Sequence, residues 1–341
     1  MVALNLIQAS NVQITTSLPA GLVALFIGGT NGVGETSVKQ FAVHANAPRV
    51  YIIGRSQEAG ERIARECREV NPGGSFMFLQ KELHLMRNVE LLCEEIKRKE
   101  KVVNLLFLSI GTLQYGKDTE EELHYPSALT LYARYQIISR LLPLLQRARH
   151  LRRVVTVFFG GGWERSIDFS DFQSRGQSRM RSQGQMAAIT TFGLLYHQTQ
   201  QQEGEGLGKV GFVHVFPGSV ASGIARGEIG WFMRTLKTIA HVLASLVDIP
   251  FVEAGERFVF LCTSTRYADG GVDGTPLLEG LEVGKGVDGM ESSGVFSVDE
   301  KGECAGPKLV NLVGEMKKGG ELDRVGMMLG GGSMKAILLE L

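Results

Sequence analysis

Short apolar runs and amphipathic stretches alternate along the chain from residue 22 to residue 216. The first run, Leu22-Val-Ala-Leu-Phe-Ile27, is followed by Gly28-Gly-Thr-Asn-Gly-Val-Gly34 and then by Val38, Phe41, Ala42 and Ala45. The spacing i, i+3, i+4, i+7 predicts a helix with one core-facing side, so the opening reads strand, turn, helix. A second run, Val50-Tyr-Ile-Ile53, arrives where a βαβ unit needs its next strand. The pattern continues with a helix over Gln57 to Val70 (Ile63, Cys67 and Val70 inward), a strand at Ser75 to Leu79, and a helix carrying Val89, Leu92, Cys93 and Ile96. A strand at Val102 to Leu108, a long helix ending near Leu142-Pro143, and a strand at Val154 to Phe158 come next. A helix from about Met186 to Gln200 and a strand at Val210 to Phe216 complete the series, closed by Pro217-Gly218. Strands apolar on both faces, alternating with helices, predict a mostly parallel sheet covered on both sides. Right-handed crossovers make it a doubly wound α/β fold.

The glycine turn suggests chemistry. Gly28 ends the strand where a side chain would clash, Gly32 lets the backbone approach a phosphate, and Gly34 lets the helix pack close to the sheet. With Thr30, Asn31 and Val33 they place unpaired N–H groups and the positive end of a helix dipole toward a dinucleotide pyrophosphate. A carboxylate at the end of the second strand would bind the ribose 2′-hydroxyl of NAD and repel a 2′-phosphate; this chain has Gly54-Arg55, which favours NADP(H). A solvated loop arginine remains the alternative reading of Arg55.

Composition narrows the class. At 341 residues the chain fits one α/β domain, residues 1–265, with a C-terminal extension, residues 266–341. A formal net charge of zero leaves no footprint for nucleic acid. The apolar stretch from Ile229 to Val252 is interrupted by Arg234, Lys237, His241 and Asp248 and does not read as a membrane span. The opening Met1-Val-Ala-Leu-Asn-Leu6 lacks a secretory pattern, so a cytoplasmic location is expected. Cys67, Cys93, Cys262 and Cys304 show neither metal nor redox spacing and read as free thiols. In the extension, a short helix is expected near Lys308 to Lys318; Met327-Met-Leu-Gly-Gly-Gly-Ser333 resembles no packed element, and partial disorder is expected there.

Over roughly residues 20 to 265 the order of motifs resembles the short-chain dehydrogenase/reductase superfamily, a Rossmann-like fold. The turn resembles its TGxxxGxG with Ile27 in place of Thr, Glu82-Leu83 its Asp-Leu adenine contact, and Leu108-Ser-Ile-Gly111 its Asn-Asn-Ala-Gly. Pro217-Gly218-Ser-Val220 resembles the PG motif beside the nicotinamide. The resemblance implies coenzyme contacts at Ser109, Gly111, Pro217, Gly218 and Val220. More narrowly, residues 254–264 and 294–299 are similar to a fungal branch often found with secondary-metabolite genes. The superfamily also implies a homo-oligomer built on paired long helices.

That family's chemistry uses a serine, a Tyr-x-x-x-Lys and usually an asparagine as one proton relay. Counted onto this sequence, the serine position falls on Phe159, the tyrosine on Ser182, the lysine on Met186 and the asparagine near Thr130. No Tyr-x-x-x-Lys occurs between Val154 and Gly218, so the catalytic residues are unassigned. Replacement candidates are His214, Tyr115, Tyr132, Tyr135 and Ser182, each also explicable by packing. Glu164, Asp168 and Asp171 read as solvated loop carboxylates, and Tyr196-His197 lies too far along its helix. A lid segment containing Ile229, Trp231, Phe232, Met233, Leu236, Ile239, Leu243 and Leu246, together with Phe159 and Met186, implies a hydrophobic small-molecule substrate. Three readings stand: an atypical NADP(H)-dependent reductase, a non-redox isomerase or cyclase, and a non-catalytic cofactor-binding protein.

Overall fold

The computed structural model describes residues 2–112, 114–220, 249–271 and 273–330. The apolar runs become β1 (Val23–Ile27), β2 (Arg49–Gly54), β3 (Ser75–Gln80), β4 (Leu105–Leu108), β5 (Arg153–Val157), β6 (Gly211–Val215) and β7 (Val295–Val298). They form one sheet in the order β3-β2-β1-β4-β5-β6-β7, and every pairing is parallel. β1, β4, β5, β6 and β7 are buried throughout, as a sheet packed on both faces requires.

One face carries α1 (Leu4–Val12), continued by the single turn α2 (Ile14–Ser17), then α3 (Gly32–His44), α4 (Gln57–Val70) and α9 (Phe251–Thr263). Its aromatic centre is Phe26, Phe41, Phe107 and Phe258, with neighbouring ring centroids 5.4–5.8 Å apart. The other face carries α5 (Met86–Lys99), the short α6 (Tyr125–Ser127), α7 (Ala133–Gln146), α8 (Arg179–Thr199), α10 (Pro307–Lys318) and α11 (Glu321–Gly330). A wider, π-helical turn over Ala128–Tyr132 joins α6 to α7.

Arg153, at the start of β5, is fully buried and donates to the carbonyls of Leu261, Ser264 and Asp273, at 3.1–3.2 Å. The guanidinium satisfies the Leu261 and Ser264 carbonyls, which the end of α9 cannot pair internally, and ties them to the Asp273 carbonyl beyond the helix. Burial holds its pKa down to about 10, so it stays charged.

Several boundaries differ from the sequence expectation. α8 starts at Arg179, two turns before Met186. α7 runs through Pro143 to Gln146, because burial of Leu144 and Leu145 holds the last turn. β4 starts at Leu105, since the Asn104 side chain is committed to Val23 N–H and the His150 carbonyl. Val70 is 58% exposed instead of inward. Met327 to Gly330, expected to be unpacked, form the last turn of α11 with Leu329 buried. The extension also supplies β7, so the sheet has seven strands. The lid segment from Ile229 to Leu246 and residues 331–333 lie outside the described residues. No described helix is long and apolar enough to cross a membrane.

Candidate active site

Strand order reverses between β1, which leads out to β2 and β3, and β4, which leads to β5, β6 and β7. In an open α/β sheet the crevice at the carboxyl ends of such strands is the binding position. Gly28 turns out of β1 at φ +91°. A Cβ on it would lie 2.9 Å from the Ile110 nitrogen and the Ser109 carbonyl carbon. A Cβ on Gly34 would fall on the Gly28 carbonyl and 2.7 Å from Ser109 Oγ. The turn after β1, the head of α3 and the end of β4 therefore meet at a spacing only glycine permits. Ser109 holds this junction, its N–H donating to the Ile27 carbonyl at 2.8 Å and its hydroxyl lying 3.3 Å from the Ile27 and Gly28 carbonyls.

Asn31, the residue before α3, is exposed and extended (φ −162°) and makes no side-chain cap, so the N–H groups of Gly32, Val33 and Gly34 have no side-chain acceptor from it. Thr30 packs beneath Gly54, where a Cβ would overlap its side chain. Arg55 follows, exposed, with its carbonyl accepting from the Gln80 side chain at 2.9 Å. Glu82 is exposed while Leu83 is buried, so only the backbone of Leu83 can face a ligand. Gly111 lies three residues past β4. At the far end Gly218 turns at φ +67°, and Val220 bridges to Ile249. The sequence-derived coenzyme residues thus spread along one edge of the sheet, from β2 to the residues after β6.

The residues counted onto the family's relay are of another kind. Phe159 follows β5 half-buried, and Ser182 and Met186 are buried on α8. The Ser182 hydroxyl has no partner among the described residues. Thr130 lies buried in the π-helical turn, a distortion that is frequent at functional sites. Phe158, Phe159, Trp163 and Phe216 form a continuous aromatic stack with successive centroids 4.9–5.6 Å apart at the ends of β5 and β6. Trp163 remains 40% exposed, so this mixed stacked and edge-to-face cluster offers an apolar wall.

Beneath that wall runs a buried polar row. Thr156, His214 and Ser297 are register partners on β5, β6 and β7. His214 Nδ1 lies 2.8 Å from Thr191 Oγ1, and Thr191 and Ser297 both donate to Glu164 Oε1, at 2.8 and 2.5 Å. Glu164 is thus a buried network member and not the solvated carboxylate its loop position suggested. Burial raises its pKa against the hydrogen bonds from Ser297, Thr191 and the Gly162 N–H. Burial, then the Arg134 charge, pushes His214 down to about 3, leaving it neutral.

Arg134 is the residue that the sequence did not single out. It is 3% exposed, donates to Thr156 Oγ1 at 2.6 Å and to the Ile110 carbonyl, and lies 5.7 Å from the Phe158 ring. A signal existed: Arg134 lies three residues after Leu131 and four before Ile138, on the apolar stripe of its helix.

Other candidates are accounted for by packing. Tyr135 stacks on His197 at 4.3 Å and its hydroxyl lies 3.3 Å from the Gly326 carbonyl, which places both under α11. The Tyr132 hydroxyl is buried without a partner among the described residues. Tyr115 lies beneath Arg179 and 6.2 Å from the His124 ring. Asp168 and Asp171 accept from nearby N–H groups of their own loop.

A seven-stranded parallel sheet with a glycine junction at its switch point defines a Rossmann-like α/β protein. No family model matches the chain. It is 34% identical over 312 residues to the oxidoreductase AN1596 of Emericella nidulans, covering 89% of this chain and 90% of that one. It is 26% identical over 332 residues to the short-chain dehydrogenase/reductase SAT2 of Stachybotrys chartarum, covering 91% of each. Among solved structures, an L-sorbose reductase from Gluconobacter frateurii shares the fold with a TM-score of 0.52 at 15% identity, over 75% of this chain and 94% of that one. The chain belongs to the short-chain dehydrogenase/reductase superfamily of oxidoreductases.

Proposed function

We propose that the protein is an atypical NADP(H)-dependent reductase acting on a hydrophobic intermediate of fungal specialised metabolism, in the cytoplasm. The glycine junction carries this reading, since the close approach of Gly28, Gly34 and Ser109 leaves the uncapped head of α3 facing the switch-point crevice. Thr30, Asn31, Gly32 and Val33 would hold the pyrophosphate and Arg55 the 2′-phosphate. Glu82 and the Leu83 backbone would take the adenine; Ser109 and Gly111 would flank the ribose, and Pro217, Gly218 and Val220 the nicotinamide. When bound, the reduced coenzyme supplies a hydride. The L-sorbose reductase of the same fold was solved with NADPH, which supports the coenzyme class.

The aromatic stack supports an apolar acceptor. Positioning of donor and acceptor contributes more to such a reaction than a general acid, whose loss removes about 10²- to 10⁴-fold in rate. Acceptors that need little protein acid therefore fit best, such as an iminium ion or a conjugated enone.

A non-redox isomerase or cyclase is the second reading, favoured by Phe159, Ser182 and Met186 at the relay positions. The test is to supply purified protein and NADPH with the precursor accumulated by a strain deleted for this gene. Loss of nicotinamide absorbance with product formation supports the reductase. Product without coenzyme consumption supports the isomerase, and binding without turnover a coenzyme-binding protein.

A further inference from the structure

Among the described residues the buried Arg134 guanidinium has neutral partners only. Its hydrogen bonds go to a threonine hydroxyl and a peptide carbonyl, and its Nε has no partner among the described residues. No described carboxylate reaches it through a hydrogen bond or electrostatically; burial lowers its pKa to about 9, so it is charged at neutral pH. A buried unpaired charge is costly, and chains retain one where a ligand completes it. The groups around it do not neutralise it. His214 is uncharged, Thr156 is neutral, and Glu164 is engaged by Thr191, Ser297 and Gly162.

Gly111 borders this buried cation. A Cβ there would meet one described atom within 4 Å beyond its chain neighbours, Arg134 Nη2 at 3.9 Å. With no side chain at Gly111, no other described atom lies within 4 Å of that Cβ position, and a guanidinium nitrogen bounds it.

We propose that Arg134 stabilises the oxyanion formed when hydride reaches the substrate, in the space beside Gly111. This rests on the reductase reading. The reduced nicotinamide, when bound, would supply a hydride, becoming oxidised, to form a C–H bond at the β-carbon of a conjugated enone. The alkene electron pair moves onto the carbonyl oxygen, and the resulting enolate takes its proton at the α-carbon from water. Arg134 holds the negative oxygen through that interval, so no tyrosine need donate. The substrate class is therefore an apolar, conjugated carbonyl compound.

The test uses 4-nitrophenol, a planar phenol whose ionisation is visible, as an enolate mimic bound to the full chain with NADP present. Bound beside a cation it should ionise with an apparent pKa about 1 to 3 below that of the free phenol. Arg134→Lys should keep most of that shift, and Arg134→Met should abolish it while still melting cooperatively. A bound phenol that titrates at its free value in the unmodified protein overturns the proposal without any variant. So does an undiminished shift in Arg134→Met, or failure of the phenol to bind. NADPH fluorescence in the same samples judges the coenzyme separately. A shifted phenol with no NADPH binding would keep the anion site and remove the reductase reading.

Discussion

Replacing Gly34 by alanine tests the junction on which the proposed coenzyme site depends. The added methyl would lie 2.7 Å from Ser109 Oγ and 2.8 Å from the Gly28 carbonyl carbon, with the Gly28 oxygen closer still. Ordinary contact begins at 3.4 Å, and two of these three atoms are backbone, so rotating Ser109 cannot clear the clash. α3 must move away from the turn by about 1 Å, at a strain of about 1–3 kcal/mol. The same movement would pull the first N–H groups of α3 from the proposed pyrophosphate position, and one lost charge-assisted hydrogen bond is about 1.5–3 kcal/mol. The Kd for NADPH, read by nicotinamide fluorescence, should rise about 10- to 100-fold. Gly21→Ala is the control. Gly21 has φ +78° with nothing within 4 Å of its Cβ position, so it should cost about 1 kcal/mol of stability and leave the Kd unchanged. Adding Ser109→Gly to Gly34→Ala should rescue binding only in part. If Gly34→Ala binds NADPH like the parent, or weakens it no more than Gly21→Ala does, the reasoning about the junction is wrong.

Three further outcomes follow from other parts of the molecule. Arg153→Met leaves the carbonyls of Leu261, Ser264 and Asp273 without their buried donor and should lower unfolding free energy by about 3–5 kcal/mol, read from the urea midpoint. Because burial raises the Glu164 pKa above its ordinary 4.5, its contribution to stability is full below that value and declines as pH rises through the higher folded-state value. Glu164→Gln should remove that decline, and melting curves from pH 4 to 8 (about the range that matters) with the same slope in both proteins would contradict it. Arg55→Ala should weaken NADPH by about 10- to 100-fold while leaving NADH nearly unchanged, since an arginine–phosphate pair is about 1.5–3 kcal/mol; equal losses for both coenzymes would return Arg55 to a solvated loop role.

Much of the architecture was legible because its signals are local. β1, the glycine turn and α3 each announce themselves within a few residues, and Leu25 or Phe107 can only be a buried strand residue. The amino-terminal turns of α8 were not legible, because their buried face is Ser182, Gly184 and Gln185 instead of an apolar stripe. Gln185 holds there through the Asp171 carbonyl, Ser174 Oγ and the Asp168 N–H, contacts that no periodicity encodes. β7 escaped because Val295-Phe-Ser-Val298 is too short to signal a strand without β6 beside it. At the site, the glycine positions were readable from a motif. Glu164 was not, since it reads as a surface charge until the sheet register places His214 and Ser297 next to it, and Arg134 gave only its place on an apolar helix stripe, with no hint of Thr156 as its partner.

The seventh strand has a consequence for synthesis. β6 is released from the ribosome about eighty residues before β7, and until then one edge of a hydrophobic strand, Gly211–Val215, has no neighbour. A nascent chain must hold that edge open without pairing to another polypeptide. A chain ending before Val295 would keep its glycine turn while leaving the β6 border unpaired.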